Sequence, residues 1–299
     1  MSRADRFAIR EFPVAGEHAG PYGITAGPDG ALWLTLVQAG AIARLTVEGQ
    51  VTVYPLDDPA CKPGVITAGP DGALWFTRFQ DHQIGRITTD GKLSAFTVPD
   101  AASGLFGIAV GADAALWFTD MNTDRIGRIT ADGTITEFPL PEAGMFPSAI
   151  TAGPDDALWF TLNRGNAIGR ISLTGEVSIH PLPTGGAAPV GITRGHDGSL
   201  WFVEIAAGQV GRLSVNDGAI REFALPDRTS RPHAIVAAPG GGCWFTEWQG
   251  NRIGHITAGG EITEVSLPTR DSEPHGITLG PDGAVWVALE AGRVARLAS

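Results

Sequence analysis

Two histidines and two glutamates in the C-terminal quarter of the chain form its most reactive set. His233 sits in Arg231-Pro-His-Ala-Ile235, His275 in Glu273-Pro-His-Gly-Ile277, and Glu290 closes Val287-Ala-Leu-Glu290. Two carboxylates with no cysteine beside them suit a hard cation, and Mg²⁺ characteristically takes one or two carboxylates while keeping several waters. Carboxylates at facing strand ends repel unless a proton or a cation lies between them. An imidazole beside such a cation can accept a proton near neutrality while the cation stabilises an oxyanion or enolate. The combination suits proton abstraction next to a carbonyl. A serine route lacks its G-x-S-x-G elbow, and no Walker-type phosphate loop is present. For His18, His82, His180, His196 and His255 a satisfied rim position is reading enough.

These residues need a scaffold that brings distant segments together, and tryptophan supplies its ruler. Trp33, Trp75, Trp117, Trp159, Trp201, Trp244 and Trp286 are spaced by 42, 42, 42, 42, 43 and 42 residues. The fullest unit reads G-I-T-A-G-P-D-G-A-L-W-F-T, then I-G-R-I-T, a Gly-containing turn, and I-T-E-F-P-L-P. Each piece is a short strand bounded by turn residues, and Pro70-Asp71-Gly72 is a tight reversal. A period of about 40–45 residues with four strands is the propeller signature. The expectation is an all-β, seven-bladed β-propeller with four-stranded antiparallel blades, a single domain over residues 1–299. The segment Ile9–Val14 matches the fourth-strand pattern of Ile135–Leu140, so it should complete the last blade and close the ring. Closure removes free sheet edges, and a closed ring needs no partner, which favours a monomer.

Aligning the seven units against one another separates scaffold from site. Nine residues before every Trp stands isoleucine, a core position. Eleven before, the copies diverge: Tyr22, Gly64, Phe106, Ser148, Val190, His233 and His275. Thirteen before stand Gly20, Lys62, Gly104, Phe146, Ala188, Arg231 and Glu273; four after stand Val37, Phe79, Met121, Asn163, Ile205, Trp248 and Glu290. In a meander these places share one rim of the channel. His233, Glu273, His275 and Glu290 should therefore converge, with Tyr22, Phe79, Phe106, Met121, Phe146 and Trp248 lining the rest of a partly apolar bowl. Arg78, Asp120, Glu204 and Glu247, three after their Trp, alternate to the other side and read as rim or inter-blade charges.

The formal charge of −11 and pI near 5.0 oppose nucleic-acid binding. No apolar run has the length of a signal peptide or membrane span, so a soluble, cytoplasmic protein is expected. Cys61 and Cys243 lie far apart in sequence and read as buried, inert thiols.

The motifs Gly20-Pro-Tyr-Gly-Ile-Thr25, Arg231-Pro-His-Ala-Ile235, Trp244-Phe-Thr-Glu-Trp248 and Glu273-Pro-His-Gly-Ile277 carry a resemblance to the virginiamycin B (streptogramin B) lyases that covers essentially the whole chain. The resemblance implies a carbon-oxygen lyase that linearises cyclic streptogramin B depsipeptides at the threonyl ester by elimination, conferring antibiotic resistance. It implies His275 as general base, Glu273 and Glu290 as Mg²⁺ ligands, and His233 as a substrate contact; Tyr22 and Trp248 look like substrate walls by position. The surroundings of Glu290, Val-Ala-Leu-Glu-Ala-Gly, match the family pattern most loosely. A metal-dependent propeller lactonase, and a propeller that only binds a ligand, stand as the alternatives.

Overall fold

The computed structural model describes residues 7–298. Among them 28 strands, β1 to β28 in chain order, form seven four-stranded antiparallel sheets arranged as a seven-bladed propeller. In the first blade β2 (Pro21–Ala26), β3 (Leu32–Leu36), β4 (Ala41–Leu45) and β5 (Val51–Pro55) pair in sequence order. The last blade takes β26 (Pro274–Leu279), β27 (Val285–Leu289) and β28 (Arg293–Ala298) from the C-terminal region and β1 (Ala8–Pro13) from the N-terminal region. There Ile9 lies opposite Leu297 and Phe12 opposite Val294, the closure that the repeat pattern implies. Around the channel the innermost strands β2, β6 (Pro63–Ala68), β10 (Leu105–Val110), β14 (Pro147–Ala152), β18 (Pro189–Arg194), β22 (Pro232–Ala237) and β26 touch in turn, and β26 returns to β2.

The core lies between blades. Leu32, Leu34 and Ala43 of the first blade pack with Trp286, Ala288 and Val294 of the last. The seven repeat tryptophans are buried, and five of them stack on an aromatic ring of a fourth strand at 5.4–6.0 Å, from Trp33 on Tyr54 to Trp286 on Phe12. Truncating one such ring to alanine costs ~3–5 kcal/mol in a close-packed interior. In six of the seven blades the turn between first and second strands carries a clamp, as where Asp71 Oδ1 accepts from Trp75 Nε1 at 3.0 Å and its Oδ2 accepts from Arg86 Nε at 2.7 Å. The reversal demands positive φ, which Gly72 adopts at 73°. Where the glycine is replaced, Ala114 and Asp156 are still held at 55° and 58°, so the fold imposes the geometry on residues that resist it.

Of the two places expected for Arg78, Asp120, Glu204 and Glu247, rim or inter-blade, the structure gives the second: all four are buried, at 3%, 0%, 0% and 0% exposure. Second strands are covered by neighbouring blades on both faces, so alternation offers no solvent side. Each charge has therefore acquired a neighbour: Arg78 pairs with Asp57 at 2.8 Å and with Asp81, and Asp120 accepts from Gly104 N at 2.8 Å. Glu204 accepts from Gln209 Nε2 at 2.7 Å, and Glu247 lies 3.4 Å from Arg252. Both cysteines are free and buried, as expected. No helix among the described residues is long and apolar enough to cross a membrane.

Candidate functional site

The mouth of the channel is built by a repeated kink. Six residues just before the innermost strands, Gly20, Lys62, Phe146, Ala188, Arg231 and Glu273, have φ between 48° and 65°. After them the ladder slips: in the seventh blade Pro274 pairs with Leu289 and Ile277 with Val287, leaving His275 and Gly276 inside a bulge. The same slip falls between Pro21 and Ile24 and between Pro232 and Ile235, around Tyr22 and His233. Bulges re-aim side chains. Here they release three aromatic rings from the sheet pattern towards the channel.

Those rings meet. Tyr22 and His275 lie 4.6 Å apart by centroid, His233 and His275 4.8 Å, and Tyr22 and His233 5.8 Å. The Tyr22 hydroxyl is 3.3 Å from His233 Nε2. This close approach of the first and seventh blades requires Gly276, since a Cβ there would come 2.5 Å from the Tyr22 carbonyl oxygen. The backbone of His275 is held from the sixth blade, where Thr246 Oγ1 accepts from Ala234 N at 3.0 Å and donates to the His275 carbonyl at 2.9 Å.

The acidic pair joins the rings at the rim. His275 Nε2 donates to Glu290 Oε2 at 2.8 Å, and Glu290 N donates to the Glu273 carbonyl at 3.2 Å. Glu273, His275 and Glu290 each offer a donor atom within 4.8 Å of the other two. Two carboxylates and an imidazole converging this closely fit a hard divalent cation.

Electrostatics separate the roles of the groups. Desolvation and the neighbouring Glu290 hold the Glu273 carboxyl above its usual range. The hydrogen bond from His275, opposed by burial, pulls Glu290 down to about 2. Burial, aided by His275, lowers His233 to about 3, so that ring is neutral at working pH. Burial and the Glu290 charge raise Tyr22 above the ordinary phenol range, so its proton stays on.

All six residues singled out in the sequence are thus placed at one mouth, with Trp248 6.4 Å from the His275 ring and the Arg231 guanidinium 5.8 Å over Trp248. Of the remaining apolar wall, Phe106 stands 6.3 Å from Tyr22 and lines the channel. Phe146 is instead covered by Arg164 at 4.4 Å, and Met121 Sδ receives a contact from Ser148 Oγ at 3.8 Å. Sequence reasoning missed Gln38, whose Nε2 donates to Glu290 Oε1 at 3.4 Å. Its position, next to the variable place four residues after Trp33, was the available signal.

A family model described as the Virginiamycin B lyase family matches residues 7–297. A virginiamycin B lyase of Saccharopolyspora erythraea is 58% identical over 57 residues, a match spanning 19% of this chain and 19% of that protein, about a fifth of its length. Selenomethionine-substituted virginiamycin B lyase from Staphylococcus aureus superimposes with a TM-score of 0.95 at 43% identity, covering 98% of this chain and 100% of that chain. A catalytically inactive histidine-to-alanine variant of the Staphylococcus aureus lyase, with quinupristin, superimposes with a TM-score of 0.95 at 42% identity and the same 98% and 100% coverage.

Proposed function

The chain belongs to the virginiamycin B lyase family, and from that premise we propose that it linearises cyclic streptogramin B antibiotics by Mg²⁺-assisted elimination at the threonyl ester, conferring resistance. One observation carries the reading: His275 Nε2 lies 2.8 Å from Glu290 Oε2, beside Glu273, at the mouth of an apolar channel.

His275, whose Nε2–H is engaged by Glu290, keeps its lone pair on Nδ1, which has no hydrogen-bond partner, and takes the threonyl α-proton there. Glu290 Oε2 goes on accepting from the Nε2–H, so the imidazolium formed by that protonation is stabilised where it forms. Electrons of the broken Cα–H bond become the Cα=Cβ double bond, and the Cβ–O bond breaks with its pair on the departing carboxylate. No water is consumed. Tyr22 packs against the His275 ring and holds it in place, while the neutral His233 presents a hydrogen-bonding edge without adding charge. Trp248 and Phe106 supply apolar walls. Glu273 and Glu290 would hold Mg²⁺, which when bound polarises the ester carbonyl and offsets charge on the leaving carboxylate.

Incubation with a streptogramin B and Mg²⁺ followed by mass spectrometry tests the proposal. A linear product of unchanged mass is expected, with turnover lost in chelator and restored by added Mg²⁺. A product heavier by one water would replace elimination by hydrolysis, and an intact ring would leave only a binding propeller.

A further inference from the structure

Glu290 is held from two sides, and only one of them is His275. On the other, Gln38 of the first blade donates Nε2–H to Glu290 Oε1 at 3.4 Å, and Lys62 of the second blade donates from Nζ to Gln38 Oε1 at 2.6 Å. The chain of bonds thus runs from the second blade through the first to the seventh.

Gln38 reaches this place because of an absence. The position before each innermost strand carries Lys62, Phe146, Arg231 or Glu273 in other blades, but Gly20 in the first. A Cβ on Gly20 would come 2.7 Å from Gln38 Cγ and 3.0 Å from Val37 Cγ1, so the glutamine stem occupies the volume that a side chain there would fill. The third blade repeats the device: a Cβ on Gly104 would come 2.6 Å from Asn122 Cγ. Lys62 also settles which way the amide faces. An ammonium has donors and no acceptor, so the amide oxygen turns to Lys62 and the NH₂ group is left facing the carboxylate.

We infer that Gln38 is a positioning residue for the Glu290 carboxylate, with Lys62 fixing the sense of its amide, so that Glu290 is presented to a divalent cation with both oxygens oriented. This rests on the reading of Glu290 as a cation ligand. Outer partners that orient ligating carboxylates contribute measurably to metal affinity.

The test titrates MgCl₂ alone into the full chain by isothermal calorimetry, without substrate. Gln38→Leu keeps the packing on Gly20 and removes both hydrogen bonds; it should weaken Mg²⁺ binding about fivefold, equivalent to ~1 kcal/mol at 1.4 kcal/mol per tenfold. Lys62→Met discriminates by sign. Coulomb's law alone says that removing a positive charge near an acidic centre tightens cation binding; loss of amide orientation weakens it, about twofold. The double variant should bind like Gln38→Leu, because both substitutions break one chain of bonds. Undiminished binding in Gln38→Leu, or tighter binding in Lys62→Met, overturns the inference while leaving the metal reading intact. Absence of binding in the unsubstituted chain overturns the metal reading and this inference with it.

Discussion

The two ends of the ring were built to opposite rules. At the turn end, six blades carry the same Asp–Trp–Arg clamp, with Arg–Asp distances of 2.6–2.8 Å in every copy. At the mouth, equivalent positions hold tyrosine, glycine, phenylalanine, serine, valine and histidine, and blades six, seven and one supply the polar groups that meet around His275. The clamp repeats because each blade makes the same demand on its turn. The mouth diverges because one reaction centre needs one copy of each group. The sixth blade marks the boundary: Gly240 and His255 stand where Asp and Arg stand elsewhere, and Trp244 is the most exposed of the seven at 7%. That blade also supplies His233 and Trp248.

The sharpest way to break this comparison is to alter one residue at each end and measure both properties. His275→Ala should lower turnover about 10³-fold, the scale of a lost general base, while the midpoint of thermal unfolding moves less than in a clamp variant, since the buried ring packs on other side chains of the mouth and not in the inter-blade core. Asp71→Ala should do the reverse. It strands the buried Trp75 Nε1–H and removes the Arg86 pair, a loss of about 2 kcal/mol, with turnover unchanged at temperatures where the variant is folded. Calorimetry and steady-state kinetics on both variants decide it. If Asp71→Ala cuts turnover as His275→Ala does, the ends are not separable.

The frame was readable because its signal is redundant: seven tryptophans at one spacing and a displaced fourth strand cannot be mistaken for helices. The site was readable for a narrower reason. Pro274 pairs with Leu289, so the ends of the two strands that carry His275 and Glu290 must meet, and strand adjacency alone predicts it. Two things were not legible. The bulge after each proline, which lets Tyr22, His233 and His275 leave the sheet pattern, has no residue type that announces it. Gln38 was hidden because its reach depends on the missing side chain of Gly20, and a vacancy shows only in three dimensions.

Two acids give the finest comparison, since Glu247 and Glu290 differ by one place at equivalent strand ends: three residues after Trp244 in one case, four after Trp286 in the other. That single step separates a carboxylate sealed between blades from one at the mouth. Burial raises Glu247 to about 7, with Glu264 adding to the rise, whereas His275 draws Glu290 down to about 2. Glu247 lies 3.4 Å from Arg252, yet neither of its oxygens has a hydrogen-bond partner. A carboxyl whose folded value exceeds its unfolded one favours the fold fully below the unfolded value and loses that contribution as pH rises through about 7. Glu247→Gln should therefore raise stability by on the order of 1 kcal/mol at pH near 8 and change nothing near pH 4, with turnover and Mg²⁺ affinity untouched. Unfolding scans at the two pH values check it. A Glu247→Gln chain that is less stable at the higher pH would mean that the Arg252 attraction outweighs the cost of burial, and that sealing a charge between blades is support for the ring and not a strain upon it.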